Sequence, residues 1–183
     1  MGPRGRLLVG VLLPASDPEW EAWVRAGIRR TWGPPQEEAG PFPFPWTDYY
    51  GEIAPRLERR FWAFPGLRPQ EHLADWKLQA QALERESGNP RRINVDPGYL
   101  EGAKLLLASR KNHAHRIYLR DGIYGEVTLT CRGGRFTPFP YTFPDYRSGL
   151  YDPFLRALQR EWRRLLRTEG AERAEKQRKE PSA

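Results

Sequence analysis

The run Arg6 to Leu13, R-L-L-V-G-V-L-L, constrains this chain more than any other stretch. After Arg6 nothing polar interrupts it, and it lacks the alternation of a strand with one wet face. It therefore reads as a short strand buried on both faces. Arg4 and Arg6 ahead of an apolar run also fit the start of a signal peptide. Seven apolar residues are the short limit for such a core, however, and Ala15 runs straight into a helix start, so the buried strand is preferred. No apolar run approaches the roughly 20 residues that span a bilayer, and no membrane association is expected.

The 183 residues have room for one domain with a substantial core, read here as 1–167, followed by a charged tail, 168–183, expected to be disordered. Seven Trp, eight Tyr and eight Phe supply much buriable area, which excludes disorder throughout. A single cysteine, Cys131, rules out an intramolecular disulfide and suits a reducing compartment, hence a cytoplasmic location. The net charge of +7 invites a nucleic-acid reading. Its distribution weakens that reading, because residues 156–183 carry nine basic against five acidic side chains while 1–155 carry twenty-one against eighteen.

Along the chain, Asp17-Pro18 opens a helix, since Asp accepts from the orphan amides of the first turn and Pro is pre-set for its first position. Trp20, Trp23, Val24, Gly27 and Ile28 give that helix one apolar face, and Gly33-Pro34-Pro35 ends it. The Pro-rich residues 36–45 mark an edge or loop. Phe44–Tyr50 is expected to be extended and to pair with Leu57–Phe64. A second helix runs from Pro69 to about Glu86, with Leu73, Trp76, Ala80 and Leu83 on one stripe. Ile93–Asp96 is a strand expected to end in a Pro97-Gly98 turn, and Leu105–Ser109 is a further strand. His115–Leu119 and Ile123–Thr130 form the clearest hairpin, joined by Arg120-Asp121-Gly122. Thr137–Arg147, with three prolines, reads as an aromatic strap over the core. Asp152-Pro153 opens a closing helix with Leu155, Leu158, Trp162 and Leu165 inward and Arg156, Arg160, Arg163 and Arg167 outward. This order predicts an α+β fold, a ferredoxin-like β-α-β-β-α-β sandwich with an added C-terminal β-hairpin and closing helix.

The candidate chemistry gathers between Arg92 and Cys131. Pairing Leu119 with Ile123 sets Tyr118 opposite Tyr124 and Arg116 opposite Glu126. It gives Ile117, Leu119, Ile123, Val127 and Leu129 one core face and Arg116, Tyr118, Tyr124, Glu126 and Thr128 the other. An ordinary surface ion pair would explain Arg116 and Glu126. As the floor of a pocket, the same face offers a guanidinium fork for phosphate or carboxylate, a base in Glu126 and a ring in Tyr124, with Lys111 at the rim. His113 and His115 are spaced to share a metal, but no third ligand is near, so no metal site is assigned. His115 falls on the core side, where a hydrogen-bonded structural histidine is expected more than a ligand. Asp96 either caps its turn or, joined by Asn94, offers a carboxylate at a strand end. Asp48, beside Tyr49 and Tyr50, has the same two readings. No phosphate-cradling glycine loop, RNA-recognition aromatic motif, C-x-x-C, H-E-x-x-H or G-x-S-x-G is present, and the sequence leaves any cofactor unknown.

Four blocks, R-R-I-N-V-D-P-G-Y-L, L-A-S-R-K, H-R-I-Y-L-R-D-G-I-Y-G-E-V-T-L and T-F-P-D-Y-R, resemble in order and spacing the bacterial and archaeal family known as domain of unknown function 4416. T-D-Y-Y at Thr47–Tyr50 matches as well, so the likeness covers most of 6–165. Two departures are visible: Gly51-Glu52-Ile53-Ala54 replaces an acidic, Lys and Met-Gly run, and Ser109-Arg110-Lys111 replaces S-T-K. The resemblance implies no established activity; a GTP-binding label on some members has no supporting loop in this sequence.

The expected function is binding of, or action on, a small phosphorylated or carboxylated ligand beside the 115–130 hairpin. Glu126, Asp96 and His115 are the candidate catalytic groups, and Arg116, Lys111, Asp48, Tyr124 and Asn94 the candidate ligand-binding groups. The alternatives are a nucleic-acid-binding module using arginines and exposed aromatics, or a protein-interaction domain; self-association is left open.

Overall fold

The apolar N-terminal run lies in the middle of a nine-stranded sheet, within a strand spanning Arg4–Pro14 (β1). The computed structural model describes residues 2–179. After β1 come α1 (Pro18–Trp32), β2 (Glu37–Pro43), β3 (Leu57–Ala63) and the two-residue β4 (Arg68–Pro69). A short 3-10 turn at Gln70–His72 leads into α2 (Leu73–Glu86), then β5 (Asn94–Leu100), β6 (Lys104–Ser109), β7 (Ile117–Arg120) and β8 (Ile123–Arg132). The chain closes with β9 (Arg135–Pro138), the four-residue α3 (Pro144–Arg147) and α4 (Asp152–Lys179). The strand order is β2-β3-β1-β5-β6-β8-β7, with β4 on the start of β1 and β9 on the end of β8. Every pairing is antiparallel and the sheet curls, so the fold mixes helices with one curled antiparallel sheet.

β1 is covered on both sides, as its composition requires. Leu7, Val9, Val11 and Leu13 pack under α1 and α2 against Val24, Ile28, Trp76, Ala80 and Leu83. On the opposite face, Leu8 joins Phe61, Leu105, Leu129, Tyr151, Leu155 and Leu158. The first helix starts where its grammar says: Asp17 Oδ1 accepts the Trp20 amide at 3.1 Å and Pro18 opens the helix. α4 is pinned across the sheet by Trp162 Nε1, which donates to the Arg4 carbonyl at 3.1 Å, and by Gln159 Nε2, which donates to the Gly102 carbonyl at 2.9 Å. Expected to stop near Thr168, this helix runs on to Lys179, in keeping with its Ala, Glu, Arg and Lys content. The remainder of the predicted tail, 180–183, lies outside the described residues.

Several local expectations change. The partner of β3 is β2, drawn from the Pro-rich stretch, and not Phe44–Tyr50, part of which is turn. β2 is an edge strand whose pairing shifts between Ala39 and Phe42, so its prolines interrupt no central ladder. The Pro97-Gly98 turn does not form, because β5 runs straight through both residues. β6 pairs with β5 only from Gly98 onward, so Pro97, which has no N–H to give, sits where that ladder has ended. Gly98 is needed for contact: a Cβ there would lie 2.2 Å from the Leu106 carbonyl oxygen.

The 117–129 hairpin forms with Ile117 opposite Gly125 and Tyr118 opposite Tyr124, but Arg120, not Leu119, faces Ile123. Leu119 is bulged, and Asp121 and Gly122 make a two-residue turn, both at positive φ (52° and 71°), the geometry that matches strand twist. A second irregularity leaves Thr128 extra where Leu105 and Leu106 face Leu129 and Val127. The expected common core face is therefore split. Ile123 packs under α2, Leu129 packs on the opposite side, and Ile117 and Leu119 are exposed on the edge strand β7.

Candidate functional site

The site exists because β5 and β6 part. Beyond Gly98, toward the start of β5, the edge of that strand has no neighbouring strand, and α2 supplies what a ladder would have given. Lys77 Nζ donates to the Val95 carbonyl at 2.6 Å, and the Val95 amide donates to Glu84 Oε1 at 2.6 Å. Lys77, Gln81 and Glu84 stand at i, i+4 and i+7, one stripe of the helix, and all three are buried. A cavity of about 690 Å³ opens beside this seam, walled by the loop 109–116 and the strap 139–146.

Its floor is a charge cluster around Arg59 of β3. The guanidinium donates from Nη1 to Asp96 Oδ2 at 3.0 Å and from Nη2 to Asp145 Oδ2 at 3.2 Å. Gly10 of β1 makes the room, since a Cβ there would meet Phe61 at 2.9 Å and Arg59 Nη1 at 3.2 Å. Asn94 Nδ2 donates to Asp96 Oδ2 at 2.8 Å, and Lys77 Nζ lies 3.4 Å from Asp96 Oδ1. Burial by itself raises the Asp96 carboxyl, but Lys77 and Arg59 outweigh it and hold the group below its ordinary value. Asp145 differs: burial pushes it up and Arg59 only partly offsets the rise. Two carboxyls sharing one arginine are thus driven apart. Arg59 itself, despite its burial, is held well above its ordinary value by Asp145, Tyr146 and Asp96.

One wall is built on Glu126 of β8, whose Oε2 accepts from Arg116 Nε at 2.8 Å and lies 2.9 Å from His115 Nε2. An ionised carboxylate only accepts, so that imidazole proton is held on Nε2. Arg116 is further fixed by donating from Nη1 to Ser109 Oγ at 2.7 Å and to the Lys111 carbonyl at 3.0 Å. His115 also belongs to a column of rings: Phe139 on Tyr141 at 5.0 Å, Tyr141 on His115 at 3.9 Å, and His115 near His113 at 5.7 Å. At the rim, Lys111 Nζ stands 3.6 Å from the centre of the Tyr49 ring.

Six of the eight residues named from the sequence line this one cavity: Asn94, Asp96, Lys111, His115, Arg116 and Glu126. His115 faces it instead of the core, because β7 begins only at Ile117 and the loop before it turns, with the Arg116 amide bonded to the His113 carbonyl. Asp48 and Tyr124 do not line it. Asp48 is exposed and closes a turn by accepting the Gly51 amide on its carbonyl. Tyr124 lies nearer the hairpin tip, packed edge-on against Tyr118. The floor residues Arg59, Lys77, Glu84 and Asp145 were missed. Their signals were three consecutive charges, Glu58, Arg59 and Arg60, inside an otherwise apolar strand and a polar stripe beside the apolar stripe of α2. Among the described residues no three His, Cys, Asp or Glu side chains group as a metal site, and no helix is long and apolar enough to cross a membrane.

A protein of mixed helix and strand content, with a polar cavity lined by both signs of charge on a curled antiparallel sheet, is the class that fold and site define. Residues 3–162 match the model of the family described as Domain of unknown function (DUF4416), and the chain belongs to that family. No curated protein and no solved structure matches it.

Proposed function

We propose that the protein binds a small phosphorylated or carboxylated compound in this cavity. The observation that carries the proposal is the charge of the lining, six Lys and Arg against four carboxylates. Arg110 and Lys111 at the rim have no acidic partner among the described residues, whereas the cations of the floor are engaged with Asp96, Asp145 or Glu84. The volume lies in the range of small-molecule sites. In this reading Lys111 and Arg116 take the anion, Asn94 orients it, and His115, Glu126 and Asp96 are the groups able to move protons. Thermal denaturation of the full chain with phosphate, small carboxylates and nucleotides tests it. Stabilisation that Arg116→Ala diminishes is expected; no stabilisation, or equal stabilisation of that variant, would sink it.

A nucleic-acid reading draws on one observation, the exposed Arg156, Arg160, Arg163 and Arg167 on one side of α4. It requires binding that weakens steeply with salt and with loss of those arginines. Two further readings belong with the proposal. The β2-β3-β1-β5 order, with α1 and α2 as crossovers, supports a ferredoxin-like first half, and the lone Cys131 supports a cytoplasmic location.

A further inference from the structure

The floor of the cavity is unlike its rim, and the difference specifies the other half of the ligand. Two buried polar atoms there, Arg59 Nε and the Tyr146 hydroxyl, have no hydrogen-bond partner among the described residues. Both residues line the cavity, Arg59 3% and Tyr146 5% exposed, so the two groups lie at its inner wall. Beside them stands Asp96, whose Oδ1 has only the 3.4 Å contact with Lys77 while its Oδ2 is taken by Arg59 and Asn94. Three residues that line the same cavity thus carry an N–H without a partner, a phenol without a partner and an under-used carboxylate oxygen.

Three ligand groups could meet such a surface. A phosphate or carboxylate only accepts, and would be repelled by Asp96 and Asp145. An ammonium only donates, and finds no net negative charge, because Arg59 and Lys77 already balance the two carboxylates. A hydroxyl both donates and accepts, so it alone serves an Arg N–H and a carboxylate oxygen together. Arg110 and Lys111 at the rim, and Arg116 in the wall beside them with Glu126 as its partner, present cationic groups on separate side chains of one loop. That arrangement suits the several oxygens of a phosphate better than a carboxylate, which a single guanidinium fork satisfies.

We propose that the cavity takes a sugar or polyol phosphate, with its phosphate at Arg110, Lys111 and Arg116 and its hydroxyls on Asp96, Arg59 and Tyr146. The assignment rests on the anion-binding reading above and narrows it to one chemical class. Isothermal titration of the full chain with inorganic phosphate, a hexose phosphate, the parent hexose, gluconate and adenosine monophosphate separates the cases. The hexose phosphate is expected to bind at least about tenfold more tightly than phosphate, gluconate or the nucleotide, the gain of one or two hydrogen bonds to charged groups. Tyr146→Phe, which removes a hydroxyl without an internal partner, should shrink the ratio of hexose phosphate to phosphate affinity severalfold, and Asp96→Asn should shrink it further. If phosphate binds but the hexose phosphate gains nothing over it, or if gluconate or the nucleotide binds more tightly, the sugar phosphate assignment is overturned and the anion site stands. If none of the anions binds, both are overturned. A ratio unmoved by Tyr146→Phe would also overturn the proposed floor contacts, whatever the folding of Asp96→Asn.

Discussion

Arg59 holds two carboxylates with one guanidinium, and its loss would leave Asp145 buried without a cation while Asp96 keeps Lys77 and Asn94. Breaking such a buried group from one side costs about 3–5 kcal/mol, so Arg59→Met should unfold at markedly lower urea than the parent chain. Tyr146→Phe is the contrasting case. Its hydroxyl makes no hydrogen bond among the described residues, and the variant should match or slightly exceed the parent in stability. Asp96 sets part of the acid response. Its folded value is depressed, so its stabilisation is present in full above the unfolded value of about 3.9 and is lost as pH falls through the folded value. Melting curves between about pH 5 and about pH 2 should show Asp96→Asn losing stability less steeply than the parent. Asp145, raised by burial, works in the opposite sense, and its ionisation costs stability as pH rises through the raised value.

At the scale of elements, the parting of β5 from β6 makes the site. Gly98→Ala would drive a Cβ into the Leu106 carbonyl, a backbone atom that has nowhere to go, and should cost about 3 kcal/mol or more. Pro97→Ala restores only an N–H on the uncovered side and should cost about 1–2 kcal/mol, mostly chain entropy and lost ring burial. Chemical denaturation of the two variants checks the contrast. These elements also mark how far the chain could be read from its residues. Apolar run, cap and helical stripe located β1, α1 and α2 because each signal is local. Arg116 and Glu126 met as the hairpin alternation required. The extra residue at Thr128 was invisible, since a bulge is decided by the strand across from it, and it moved Leu129 to the opposite face. Pro97-Gly98 misled for the same kind of reason: a proline ends a strand unless its missing donor lies where no partner strand runs.

For the molecule as a whole, the two faces of β1 carry two different layers, α1 and α2 on one and α3 and α4 on the other. Leu7→Ala and Leu8→Ala should each cost about 2–5 kcal/mol, with neither face tolerant; a mild effect at either position would contradict a double-sided core. The same layering explains why Asp145 and Tyr146 escaped notice as site residues. Their segment looked like a cover for the core, and it becomes a cavity wall only because Arg59 lies beneath it.

On the proposal above, the cavity between β5, β6 and the 139–146 strap is an anion site. Titration of inorganic phosphate into the isotope-labelled full-length chain, followed by amide chemical shifts, is the decisive experiment. Saturable shifts concentrated at Asn94, Ser109 to Arg116 and Tyr141 are predicted, weakened in Arg116→Ala. Shifts confined to α4, or none at phosphate concentrations that saturate ordinary phosphate sites, would contradict it.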